Sequence, residues 1–161
     1  MIIGRFLLTA SAAIAALSAP AAAKPDYAGD VKADYDKSLG ALWDHFHRNP
    51  ELSFREFKTA ARMAQELRTV PGMVVTEKVG QTGVVGVLKN GDGPVVLVRA
   101  DMDGLPVQER SGLANASTVK QVGVDGLEMP VMHACGHDVH ITSLLGTARQ
   151  LARLKDRWKG T

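Results

Sequence analysis

VVLVRADMDGLPVQE, Val95 to Glu109, is the stretch on which the fold turns. Its opening is apolar and β-branched, which predicts a strand over Val95–Ala100. Directly beyond stand two carboxylates, Asp101 and Asp103, and then the turn formers Gly104 and Pro106. Ligands of α/β sheets bind at the carboxyl ends of strands, so this change of character marks a candidate site as well as an element boundary. If the extended path runs on through Met102, both carboxylates project to one side, where they can hold a cation or orient a ligand. Aspartates also cap turns, and the same positions suit that use.

Working outward, the flanking segments read as helices and further strands. Apolar residues recur at Tyr35, Leu39, Leu42, Trp43 and Phe46, a helical stripe that stops before Pro50. Ser53 and Glu56 have capping-box spacing, and Leu52 and Phe57 that of a hydrophobic staple. A second helix is therefore predicted from Ser53, with Phe57, Ala60, Ala64 and Leu67 on its buried face, ended by Pro71 and Gly72. Met73–Val79 and Val84–Leu88 read as strands, and the turn-rich Asn90–Gly93 predicts an antiparallel hairpin between Val84–Leu88 and Val95–Ala100. A closing helix from about Asp138 carries Leu144, Leu145, Ala148, Leu151 and Ala152 at helical spacing. The order of elements is that of an α/β protein.

The chemistry concentrates in MHACGHDVH, Met132 to His140, which holds three histidines, an aspartate and the one cysteine of the chain. Cys135 and His137 flank Gly136, whose lack of a Cβ permits the sharp path by which two close side chains converge on one ion. These two are the expected direct metal ligands. Asp138 suits both the N-cap of the closing helix and a carboxylate that fixes a ligand imidazole. His133 and His140 are expected to support a ligand or touch substrate rather than bind the ion. His45 and His47, near the exit of the first helix, read as ordinary surface or helix-end histidines.

The N-terminus reads as an export signal over residues 1–23: Arg5, an apolar stretch Phe6–Leu17, and Ala21, Ala22 and Ala23 before Lys24. The apolar stretch is short for a membrane span, an uncleaved anchor being the alternative. The expected location is periplasmic or secreted, with no membrane contact after cleavage. In an oxidising compartment a lone thiol needs an occupant, such as a metal, or burial. A net charge of +2 over 161 residues gives no basis for a nucleic-acid partner.

Taken together, HRNPELSFRE (His47 to Glu56), RADMDGLPVQE and MHACGHDVH, in this order and followed by a helix, resemble the metal-dependent amidohydrolases. That group includes hippurate hydrolase, aminoacylase-type carboxypeptidases and the hydrolases of indole-acetyl amino-acid conjugates. The resemblance runs from about Tyr35 to the end of the chain. It implies an α/β catalytic domain, a mixed sheet flanked by helices around two divalent ions, interrupted later by a smaller domain for dimerisation and closure over the substrate. Residues 24–161 would form the N-terminal portion of that domain, and the complete enzyme would be a homodimer.

The resemblance assigns Cys135 and His137 to the metal centre and Asp103 to the active-site aspartate that orients a ligand. Asp101 falls where other branches carry a ligand histidine. The chain departs from the pattern at Gly104, commonly alanine, and at Ala114 and Asn115, commonly proline and tyrosine. The family's general base, one of two adjacent glutamates, falls beyond Thr161. A catalytic ion needs about three protein ligands and an open position, which Cys135 and His137 alone do not provide, so the chain by itself is expected to be inactive. The implied reaction is hydrolysis of the amide bond of an N-acyl amino acid or a related small conjugate. The donor set favours zinc or manganese, with cobalt or nickel also compatible. The alternative is a non-catalytic metal-binding or structural zinc module, in which His133 and His140 complete Cys135 and His137.

Overall fold

The computed structural model describes residues 25–161, so the expected signal segment at 1–23 lies outside the described residues. The first helical stripe forms as one continuous rod: α1, Tyr27–Asp34, a π-helical turn over Tyr35–Leu39, and α2, Gly40–Arg48. Asp26 starts it by accepting the Gly29 N–H at 3.0 Å. Leu39, Leu42 and Phe46 are buried as the periodicity requires, whereas Tyr35 is exposed. The π turn accounts for the difference, since an i→i+5 turn shifts the stripe by a residue and rotates Tyr35 off the core face.

The second helix, α3, runs over Phe57–Arg68 and starts four residues later than the capping-box spacing implies. Phe54 adopts a left-handed φ of 61°, which a helix cannot accommodate, and the Glu56 carboxylate accepts from the Phe54 N–H instead of serving Ser53. The first turn is capped from upstream by Glu51, whose carboxylate accepts from Lys58 N at 3.2 Å and Thr59 N at 2.7 Å. Ala60, Ala64 and Leu67 are buried, but Phe57 sits at the first turn with its ring exposed.

β1, Met73–Val79, and β2, Gly83–Leu88, form an antiparallel hairpin with Met73 opposite Leu88. The expected hairpin between β2 and Val95–Ala100 does not form. β2 takes β1 as its partner, and the Asn90 side-chain amide donates to Lys155 O and Trp158 O, both at 2.6 Å, drawing the turn toward the chain end. Among the described residues Val95–Ala100 joins neither sheet. Its start bonds to the last residue, Val96 N donating to Thr161 O at 2.9 Å and Thr161 N to Pro94 O at 3.0 Å, the spacing of a parallel bridge, and its end, Ala100, packs against the core. A second antiparallel pair, β3 (Lys120–Val122) and β4 (Glu128–Pro130), follows.

The closing helix, α4, spans His137–Arg153. Leu145 and Ala148 are buried, joined by Ile141, while Leu151 is exposed. One core cluster unites Leu39, Leu42 and Phe46, Met63 and Leu67 of α3, and Ile141, Leu145 and Ala148 of α4. Each large apolar side chain buried there contributes about 1.5–3 kcal/mol, and together they fix α4 against α2 and α3. The fold class is α/β, and α4 presents its N-terminal turn toward the Asp101–Glu109 segment. Among the described residues no helix is long and apolar enough to cross a membrane.

Candidate metal centre

Two antiparallel bonds seat the segment after Val95–Ala100 beside the histidine-rich loop: Leu105 N to Met132 O at 2.8 Å and Met132 N to Leu105 O at 3.1 Å. Asp103 and His137 meet there. His137 Nδ1 lies 2.8 Å from the Asp103 carbonyl oxygen and 3.0 Å from its Oδ1. Both partners are acceptors, so Nδ1 carries the proton and donates, leaving Nε2 with a free lone pair for a cation. Asp101 turns elsewhere and pairs with Arg99, so the two aspartates do not share a task.

Gly136 precedes α4 as its N-cap, with a left-handed φ of 75°. The N-cap role considered for Asp138 is thereby corrected: Asp138 lies in the first turn, buried, with Oδ2 2.9 Å from His47 Nδ1. The left-handed glycine lifts Cys135 to the surface as a free, exposed thiol. His140 is exposed, its ring centroid 5.6 Å from that of His137. His133 is buried, and neither ring nitrogen has a hydrogen-bond partner among the described residues. Burial pushes its imidazole below the usual histidine value, against the opposing pull of the Asp138 charge. Among the described residues no three histidine, cysteine, aspartate or glutamate side chains converge on one point. The four-ligand zinc module of Cys135, His137, His133 and His140 is therefore not assembled. The donors do suit part of a metal site, a thiol and an imidazole two residues apart with the imidazole already oriented.

His47 stands in the last turn of α2, a helix-end position as expected, but it is not a surface histidine. Only 14% of its side chain is exposed, and its Nε2 lies 3.3 Å from Glu109 Oε1. The cause is the loop over residues 109–117, which folds back on the end of α2: Arg48 donates to Ala114 O at 3.1 Å and Asn115 to Asp44 at 3.1 Å. Burial alone would raise the Glu109 carboxyl. Hydrogen bonds from Ser111 and the Ser117 N–H, together with the His47 ring, outweigh it and hold the group below the ordinary carboxylate range. His47 opens HRNPELSFRE, and its place in that motif was the one available signal; Glu109 and Glu51 carried none beyond their motifs.

Residues 97–161 match the model of peptidase family M20/M25/M40. Through these residues the chain resembles that family. Hippurate hydrolase of Campylobacter jejuni is 44% identical over 124 residues, 76% of this chain and 29% of the relative. N-acetylcysteine deacetylase of Bacillus subtilis is 40% identical over 116 residues, 71% of this chain and 28% of the relative. A solved Bacillus subtilis structure, a dinuclear metal binding peptidase from the M20 family, superposes with a TM-score of 0.67 at 35% identity, over 80% of this chain and 34% of the other. The chain thus spans less than a third of the length of these curated relatives.

Proposed function

We propose that this chain supplies the N-terminal part of the catalytic domain of an M20 amidohydrolase that cleaves the amide bond of N-acyl amino acids or related small conjugates. The observation that carries this reading is the His137 ring, held at Nδ1 by Asp103 with Nε2 free, two residues from the exposed thiol of Cys135. The names of the relatives support the substrate class, and the dinuclear neighbour supports two divalent ions. Cys135 and His137 would hold metal, zinc or manganese by donor type, with cobalt or nickel also compatible. Bound divalent ions supply Lewis-acid activation of the scissile carbonyl and of the attacking water. Asp103 keeps the His137 tautomer, and His133 is buried in the same loop. The general base and the remaining ligands are assigned to residues beyond Thr161, as is dimerisation.

The test is a panel of N-acyl amino acids headed by hippurate. With added zinc or manganese, the intact polypeptide is expected to release the free amino acid and the 161-residue chain is not; turnover by the chain alone would refute the division of labour. Cys135→Ala in the intact polypeptide is expected to lose tightly held metal, and unchanged metal content after dialysis would remove Cys135 from the ligand set. Export completes the proposal: a mature N-terminus at Lys24, read by mass spectrometry of the secreted or periplasmic protein, is the expected result.

A further inference from the structure

We propose that His47 is a positioning residue for His137, acting through Asp138 and Glu109, a role that rests on the metal reading given above. Its ring lies between two carboxylates whose side chains are only 3% and 2% exposed, Asp138 at 2.9 Å from Nδ1 and Glu109 at 3.3 Å from Nε2. The partners belong to the two segments that meet again at His137. Asp138 is its neighbour in the first turn of α4, and Glu109 ends the segment that starts at Asp103, whose carbonyl and carboxylate hold His137 Nδ1. Contacts and chain thus form a closed circuit: His47 to Asp138, along α4 to His137, across to Asp103, along the chain to Glu109, and back to His47.

Removing the ring opens that circuit at its least replaceable point. Two buried carboxylates then face one another with no donor between them, and each must admit water or move away. Glu109 keeps the Ser111 hydroxyl and the Ser117 N–H, each at 2.6 Å, so it is tethered. The displacement falls on Asp138 and the first turn of α4, which carries His137. The bond from His137 Nδ1 to Asp103 loosens, and with it the preference that leaves Nε2 free.

The test reads the His137 ring itself. Nitrogen–proton correlation spectra of the metal-free chain should show one His137 tautomer protonated at Nδ1. In His47→Ala that single form is expected to give way to a mixture of tautomers, while helix content by circular dichroism is retained. His47→Gln sets an amide nitrogen against one carboxylate but an acceptor oxygen against the other, and should fail similarly. Adding Glu109→Gln should restore the single tautomer, because the new amide at 47 can donate to Asp138 and accept from the one at 109. An unchanged His137 tautomer in both single variants overturns the proposal. If His47→Ala loses its helices, His47→Gln and the double variant decide: no recovery in the double variant counts against it. Cobalt titration of the intact polypeptide with and without these substitutions, followed by the thiolate charge-transfer band of Cys135, separates this result from the metal reading. A weakening of cobalt affinity by roughly 10–100-fold in His47→Ala supports both. No band in the parent intact polypeptide rejects the metal reading, and the tautomer spectra still decide whether His47 positions His137.

Discussion

Carboxylates with almost no exposure are costly unless their lone pairs are filled, and Glu109 fills them with the Ser111 hydroxyl, the Ser117 N–H and the His47 ring. Because these donors hold its carboxyl below the ordinary range, the unfolded chain takes up a proton before the folded one as pH falls. The stability contributed by Glu109 is therefore complete above the ordinary carboxylate value of about 4.3 and is lost as pH drops through its lower folded value. The urea midpoint is expected to fall on acidification through that window, and more steeply than in Glu109→Gln; parallel curves for the two proteins would exclude this role. Asp44, also lowered by its bond to Arg48, titrates in both and cancels. At this scale the sequence was legible where chemistry is local. Cys135, Gly136 and His137 announce themselves by type and spacing. His47 did not, because a histidine at a helix exit looks the same whether water or two carboxylates lie beyond it, and those carboxylates stand 62 and 91 residues further along.

Elements were legible in kind but not in partnership. The periodicity of α4 and the β-rich runs of β1 and β2 report backbone preference, which is a local property, and these elements form where the pattern puts them. The start of α3 moved because a buried glutamate from the preceding turn caps it, a bond that no capping-box spacing encodes. Val95–Ala100 shows the limit most plainly. Its composition is that of a strand buried on both faces, yet Val95, Val96, Leu97 and Val98 are 80%, 70%, 85% and 52% exposed. An extended apolar run with free edges is a template for self-association. The 161-residue chain is accordingly expected to bind a hydrophobic dye and to aggregate with time, and Leu97→Lys should slow that aggregation without changing helix content. Equal aggregation rates by light scattering would place the sticky surface elsewhere. Slower aggregation with lost helix content would mean that Leu97 supports the fold.

Across the whole molecule the site is held by a seam where three segments distant in sequence meet at Gly104. Its N–H donates to Glu51 O at 2.6 Å, Leu52 bridges it in parallel, and its successor Leu105 exchanges bonds with Met132. No periodicity or turn signal reports such a seam, since each segment alone reads as loop. The resemblance expects alanine at this position, but a methyl group there would lie 2.8 Å from Val131 Cγ1, 3.0 Å from Pro50 Cβ and 3.2 Å from Met132 O. Pro50 and Val131 are both fully buried, so neither has free space into which to retreat. Gly104→Ala should thus cost about 1–3 kcal/mol through overpacking, despite the reduced entropy of its unfolded chain. Val131→Ala deletes the nearest clashing atom and by itself leaves a small cavity. The two substitutions together should cost less than the sum of their separate effects, by about 0.5 kcal/mol or more in urea denaturation. Strict additivity would show that the seam relaxes around the methyl group without help from Val131, and a neutral Gly104→Ala would show that the three segments are not tightly joined.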